Sequence, residues 1–212
     1  MKQRLSLLIL LSMTLILTQC TGGKLKVKPI KNGAVISTPQ QNLKVQFYAD
    51  NIVRVVKWLP EGTDKKLSLS VIMDSLPDVK VTILENDGDV ILSSGKLKVQ
   101  VDNSTGNLKY SDTQGASLLA EAGTSFEPVV YSGDSSYSVL QKFNLTPDEG
   151  IYGLGQHQYG YMNYRGKTVK LVQSNTDAVN PFLVSTNGYG ILWDLTTRYV
   201  MKNERGTPEE AE

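Results

Sequence analysis

The chain has 212 residues, of which 40% are hydrophobic and 20% charged, and its formal net charge is +1. This length suits one ordinary globular domain, and the near-neutral charge gives no electrostatic reason to expect a nucleic-acid partner or an acidic substrate. The single cysteine excludes an internal disulfide, so a buried core must supply the stability.

Residues 1–20 have the features of an export signal. Lys2 and Arg4 precede an apolar run at residues 5–17, which is too short for a comfortable membrane span. The run ends in LTQC and resembles a bacterial lipoprotein signal, in which Cys20 would be lipidated; Gln19 departs from that pattern, and a plain signal peptide is the alternative. We therefore expect a lipoprotein-type signal at residues 1–20, a tether at 21–24, and an outer-membrane lipoprotein that faces the periplasm.

Residues 25–198 predict a succession of short strands. Between residues 42 and 59, for example, Leu43, Val45 and Phe47 alternate onto one face. Turn residues at 86–89 and 103–107 predict hairpins. Strands spaced by about 8–12 residues predict an all-β, antiparallel sandwich or barrel. Only ASLLAEAG, residues 116–123, has the composition of a helix, and residues 199–212 lose the strand pattern and predict a frayed tail.

The inventory of reactive side chains excludes several kinds of active site. His157 is the only histidine and Cys20 the only cysteine, so neither a nucleophile triad nor a zinc site can be assembled in the usual way. We expect no metal and no other cofactor. A glycosidase needs two carboxyl groups. Most of the 21 acidic residues stand beside turn residues, and only Asp194 lies in an apolar, aromatic stretch.

Four segments match a known family in the order in which they occur. They are NIVRVVKW at residues 51–58, YGLGQHQ at 152–158, LVQSNTDAVNPF at 171–182 and VSTNGYGILWD at 184–194. Together they resemble the N-terminal, galactose-mutarotase-like β-sandwich of glycoside hydrolase family 31, the α-glucosidase and α-xylosidase family. Asn175 stands where many α-glucosidases have aspartate, so the sequence is most similar to the α-xylosidase branch, whose members remove α-linked xylose from oligosaccharides.

The resemblance implies a surface that contacts an oligosaccharide, either of the xyloglucan type or an α-glucan, from which the whole enzyme would remove α-linked xylose or glucose. The loop that approaches the family's active site corresponds to the LVQSNTDAVNPF segment. The expected substrate-binding residues are therefore Gln156, His157, Asn175, Thr176 and Asp177. For His157, a structural hydrogen bond within a turn is the alternative role. The rings of Tyr159, Tyr161 and Tyr164 are expected either to stack on a sugar or to pack against one another.

The resemblance also implies that no catalytic residue is present. The family's two catalytic aspartates lie on a (β/α)8 barrel, which takes about 250 residues and follows the sandwich. The chain has tryptophan only at Trp58 and Trp193, and neither opens the family's W-x-D-x-N-E motif. We expect a domain that is inactive alone and whose partner is the missing barrel. The alternatives are a stand-alone carbohydrate-binding lipoprotein and a mutarotase-like enzyme with His157 as its acid.

Overall fold

The computed structural model describes residues 26–65, 67–86, 89–194 and 199–202. These residues form β-strands and no helix, and every strand pairing is antiparallel. The strands are β1 (Lys26–Ile30), β2 (Gly33–Ser37), β3 (Asn42–Ala49), β4 (Ile52–Trp58), β5 (Thr82–Glu85), β6 (Asp89–Ser93), β7 (Leu97–Asp102), β8 (Leu108–Asp112), β9 (Ser117–Tyr131), β10 (Asp134–Asn144), β11 (Ile151–Gln156), β12 (Thr168–Leu171), β13 (Ala178–Ser185), β14 (Gly190–Leu192) and β15 (Tyr199–Lys202).

Two sheets enclose the larger hydrophobic core. One has the order β1-β2-β3-β4 and the other β10-β9-β8-β7-β6-β5. Alternate residues of both sheets point inward, as the period-2 pattern predicted. The buried side chains include Ile36, Leu43, Val45, Phe47, Leu92, Val99, Val101 and Leu108. The prediction of an all-β, antiparallel sandwich is therefore confirmed.

Both predicted hairpins are present. In the turn between β7 and β8, the Asp102 carboxylate accepts hydrogen bonds from the main-chain N–H and the hydroxyl of both Ser104 and Thr105, at 2.6–3.0 Å. These bonds, with the two hydroxyls contributing most, lower the pKa of Asp102 to about 2. Gly106 completes the turn at φ 70°. In the turn between β5 and β6, the N–H of Asn86 donates to the carbonyl oxygen of Asp89 at 2.9 Å.

Two local predictions were wrong. The segment at residues 116–123 is not helical but begins β9, in which Leu119 and Glu121 alternate into the interior. Pairing with β8 and β10 overrides the helix propensity of alanine and leucine there. Strand structure also continues past residue 198, because β15 pairs along the whole of β12. The remainder of the predicted tail, residues 203–212, lies outside the described residues.

A second, smaller core lies under the C-terminal strands. It is formed by the sheet β11-β13-β14 and the pair β12-β15, and its buried members are Ile151, Leu154, Tyr164, Val169, Leu171 and Leu183. The predicted signal, the tether and Cys20 lie outside the described residues. Among the residues that are described, no helix is long and apolar enough to cross a membrane.

Candidate functional site

The Gly-Leu-Gly segment of β11 has a backbone conformation that side chains rarely tolerate. Gly153, Leu154 and Gly155 have φ values of 99°, 64° and 97°, and the pairing with β13 shifts at this point. A Cβ on Gly153 would lie 2.6 Å from the carbonyl oxygen of Phe182, and one on Gly155 would lie closer still to that of Ala178. Leu154 is fully buried, so packing holds the strained turn in place. The two strands therefore approach more closely than ordinary side chains would permit.

This close approach brings three of the predicted site residues together. Gln156 pairs directly with Ala178, which places it beside Asp177. The His157 side chain is fully buried, and its Nδ1 lies 3.4 Å from Asp177 Oδ1. Its Nε2 lies 3.0 Å from the carbonyl oxygen of Leu154. Since a carbonyl oxygen can only accept, Nε2 carries the proton. His157 thus lies between the end of β11 and the loop that precedes β13.

The loop before β13 presents the other predicted residues. It is closed by a hydrogen bond from the N–H of Ser174 to the carbonyl oxygen of Asp177 at 3.3 Å. The Gln173 side chain also accepts from the N–H of Val179 at 3.0 Å. Asp177 is partly exposed, and three further side chains are exposed around it, those of Gln156, Asn175 and Thr176. Amide, hydroxyl and carboxylate groups in this arrangement can both donate to and accept from sugar hydroxyls.

The rings near this loop pack mainly against one another. Tyr159 stacks on His157 with the ring centroids 5.2 Å apart, and on Tyr161 at 5.6 Å. Tyr164 meets His157 and Tyr161 edge-on, at 6.2 Å and 5.7 Å, and Lys167 Nζ lies 5.1 Å from the Tyr161 ring. We call His157, Tyr159, Tyr161 and Tyr164 the aromatic cluster. Its geometry favours packing over sugar stacking, and Tyr159, 38% exposed, is its most open member.

The position of His157 bears on its two suggested roles. Because its imidazole has no exposed surface, it cannot touch a ligand in this conformation, either as a binding group or as the acid of a mutarotase-like reaction. Its Nδ1 lies 3.4 Å from the Asp177 carboxylate but has no hydrogen-bond partner in the described part of the chain, and its Nε2 donates to the carbonyl oxygen of Leu154. His157 therefore makes a structural hydrogen bond within the turn, which was the alternative role expected for it.

Sequence reasoning missed a buried carboxylate at the opposite end of the β11–β13 pair from the candidate site. Glu149 is 2% exposed and accepts hydrogen bonds from the Ser185 hydroxyl at 2.6 Å, the Tyr189 hydroxyl at 2.5 Å and the Thr146 N–H at 2.8 Å. Burial raises the pKa of Glu149, but these hydrogen bonds outweigh it and lower the pKa below the ordinary value. Ionised Glu149 therefore stabilises the fold at pH values above the ordinary glutamate pKa. This stabilisation is lost as the pH falls through the lowered pKa of Glu149 in the folded protein.

A second missed carboxylate lies between the two large sheets. Glu121 has a fully buried side chain and forms an ion pair with Lys57 at 2.6 Å. It also accepts from the N–H of Leu108 at 3.0 Å and from the Gln141 amide at 2.9 Å, and the Trp193 indole donates to the same Gln141 at 3.3 Å. In a strand, the alternating pattern would have placed Glu121 on the inward face together with Leu119. The prediction of a helix at residues 116–123 meant that this pattern was not recognised.

Asp194, singled out as a candidate buried acid, is a structural link. Its carboxylate accepts from Arg54 Nη2 and from the Ser68 hydroxyl, both at 2.8 Å. Arg54 also donates to the Tyr48 hydroxyl at 3.3 Å. Both Asp194 oxygens are therefore engaged in joining β4 and the segment after it to the end of β14.

Comparison with known proteins agrees with the fold and identifies the family of this chain. The fold is a galactose-mutarotase-like sandwich, and residues 42–200 match the family described as the glycosyl hydrolase 31 N-terminal galactose mutarotase-like domain. The chain therefore belongs to glycoside hydrolase family 31, and its described part is the family's N-terminal β-sandwich.

Its relatives include several α-xylosidases. The α-xylosidase of Saccharolobus solfataricus is 36% identical over 167 residues, which are 72% of this chain and 22% of the relative. A crystal structure of the family 31 α-xylosidase from Xanthomonas citri aligns with 81% of this chain and 19% of its own, at TM-score 0.73 and 30% identity. An α-xylosidase from a soil metagenome, solved with xylose, has TM-score 0.72 at 23% identity, covers 84% of this chain and 29% of its own, and shows the shared fold. The chain thus spans about a fifth to three tenths of the length of these relatives.

Proposed function

We propose that this chain is the oligosaccharide-contacting N-terminal domain of an exported α-glycosidase of the α-xylosidase type. The observation that carries the proposal is the polar surface at the end of β11, where Gln156 and Asp177 adjoin the exposed Asn175 and Thr176. The strained Gly-Leu-Gly turn and the hydrogen bond from the buried His157 to Leu154 hold the end of β11 in one arrangement. Pre-organisation of this kind reduces the entropy lost when a ligand binds.

The chemistry of the surface favours a neutral, hydroxyl-rich ligand. Its exposed groups are two amides and a hydroxyl with one carboxylate beside them, and such groups make directional hydrogen bonds to vicinal hydroxyls. The α-xylosidase relatives indicate α-linked xylose as the terminal sugar. The catalytic carboxylates belong to the barrel, which is the domain's partner. The domain contributes binding and no hydrolysis of its own.

Replacing Asp177 with alanine is expected to weaken binding of a xyloglucan oligosaccharide by about 10- to 100-fold, the loss that follows when a charged hydrogen-bonding group is removed. Titration calorimetry of the full chain measures this. Asp74→Ala is the matched control, since Asp74 is also an acidic loop residue but is exposed on a different part of the surface. Equal binding by Asp177→Ala and wild type contradicts the assigned surface. Release of xylose by the chain alone contradicts its inactivity, and tight binding without a barrel favours a stand-alone carbohydrate-binding lipoprotein.

The membrane anchor is a separate part of the proposal, and the sequence at residues 1–20 supports it. Lipidation of Cys20 with two or more acyl chains would anchor the protein stably. In a Gram-negative host fed an alkynyl fatty acid, wild type is expected to incorporate the label and Cys20→Ser to lose it. Protease added to intact cells is expected to leave the protein whole, because it faces the periplasm. An unlabelled wild-type chain would remove the anchor, and digestion of intact cells would place it on the cell surface.

A further inference from the structure

Strands β9 and β10 extend together well beyond the short stretch of β9 that pairs with β8. Strand β8 pairs with β9 only between Ser117 and Ala120, whereas β9 and β10 remain paired as far as Tyr131 and Asp134. We call residues 124–141 the arm. Residues 127–140 of the arm are all exposed, although they include apolar side chains, with Val130 75%, Tyr131 78% and Val139 58% exposed.

The turn at the tip of the arm determines which main-chain groups face outward. Ser132 and Gly133 have φ values of 51° and 90°, as in the type I′ turn of a two-residue hairpin. The hydrogen bond of such a turn joins Tyr131 to Asp134, and hydrogen-bonded pairs then alternate with non-bonded pairs along the strands. On β10, four residues therefore direct their N–H and C=O groups away from β9, namely Ser135, Tyr137, Val139 and Gln141.

The two edges of the arm differ in how they are protected. On β9 the outward-facing residues include Pro128, which has no N–H to offer, and proline at this position blocks further strand pairing. On β10 the register with β9 is unbroken from Asp134 to Lys142, and no proline occurs. In the described part of the chain β10 is the last strand of its sheet. The open edge therefore belongs to β10.

We propose that β10 pairs in antiparallel fashion with β10 of a second copy of this chain, about a two-fold axis at Ser138. In this register Tyr137 lies opposite Val139 of the second copy, and Ser135 lies opposite Gln141. These residues carry the outward N–H and C=O groups on both strands, so each pair can exchange two hydrogen bonds. The two six-stranded sheets become one continuous sheet across the arms.

Charge complementarity selects this register. With the axis at Ser138, Asp134 lies opposite Lys142 of the second copy, and the pair occurs twice by symmetry. Within the described residues neither side chain has an ion-pair partner in its own chain. Moving the axis by one residue in either direction places Asp134 opposite Leu140 or Asn144 instead. In this register the aromatic and β-branched pair lies on one face of the joined sheet and the oppositely charged pair on the other, and each is a favourable cross-strand pair.

Cysteine cross-linking tests the register directly. In a Cys20→Ser background of the full chain, Ser138→Cys places two thiols opposite each other at the axis, at the roughly 4.5 Å Cα separation of a non-hydrogen-bonded pair. Ser136→Cys is the control, because its two copies would lie about 13 Å apart along the strands, beyond the reach of a disulfide. Under mild oxidation we expect a covalent dimer from Ser138→Cys and none from Ser136→Cys. Equal cross-linking of both variants, or of neither, overturns the proposal.

Charge reversal provides a second, non-covalent readout by sedimentation equilibrium in density-matched detergent. Asp134→Lys and Lys142→Asp are each expected to weaken dimerisation by about tenfold, because like charges then face each other at both ends. The double variant is expected to recover the wild-type association. Val139→Pro removes an outward N–H and leaves the pairing with β9 intact, so it should give a folded monomer. A wild-type chain that stays monomeric at high micromolar concentration, or a double variant without recovery, also overturns the proposal.

Discussion

Replacing Glu121 with alanine is expected to lower the free energy of unfolding by about 3–5 kcal/mol, because Lys57 is then left buried without its counter-charge. The Lys57 side chain is only 8% exposed and that of Glu121 is fully buried. The same substitution leaves the N–H of Leu108 and the amide of Gln141 without their acceptor. Urea unfolding of the full chain, followed by far-ultraviolet circular dichroism, measures the change.

A double variant and an exposed ion pair provide the controls. Lys57→Met combined with Glu121→Leu removes both charges and is expected to cost less than Glu121→Ala alone, since no buried charge remains. Asp78→Ala breaks a surface ion pair in which the Asp78 side chain is 96% exposed and the Lys31 side chain 53% exposed. This substitution is expected to change the free energy of unfolding by less than about 1 kcal/mol. A Glu121→Ala effect as small as that of Asp78→Ala would show that the pair does not support the sandwich.

Replacing Gly155 with alanine is expected to destabilise the protein by about 3 kcal/mol and to abolish oligosaccharide binding. The new Cβ would collide with the main chain at Ala178, so β13 and the adjoining Asp177 would have to move. Calorimetric titration and urea unfolding of the same preparation separate the loss of binding from the loss of fold.

Gly115 is a matched control for the backbone strain that alanine would suffer at the positive φ of Gly155. Its φ of 95° is close to the 97° of Gly155, but a Cβ there meets nothing within 4 Å. Gly115→Ala is therefore expected to cost only the strain of the positive φ, about 1–2 kcal/mol, and to bind normally. If both variants lose the same amount of stability and both bind, the close approach of β11 and β13 has no part in forming the site.

The sheets were predictable because their information is local. Alternation in β3, with Leu43, Val45 and Phe47 on one face, fixes which side of the strand is buried. The turn residues at 86–89 and 103–107 fix where the chain reverses. The motifs between residues 152 and 194 were sufficient to indicate the family, since each keeps its order and spacing in the sequence.

The site was predictable only in part. The sequence places Gln156 and Asp177 twenty-one positions apart, and the family resemblance put them on one surface. It did not show that the His157 ring is buried beside Asp177, and it left open whether the tyrosines pack on one another or stack on a sugar. The burial of His157 depends on how β11 and β13 pair, and those strands are distant in the sequence.

What the sequence determined by itself is the strand pattern, the hairpins and the family, each encoded in neighbouring residues. What only the tertiary structure decided is where polar groups are buried and which edges stay open. Glutamate is usually exposed, but Glu121 and Glu149 are buried because hydrogen-bond donors from distant strands satisfy their carboxylates. The open edge of β10 and the blocked edge of β9 likewise follow from the pairing, since strand register alone sets which N–H groups point outward.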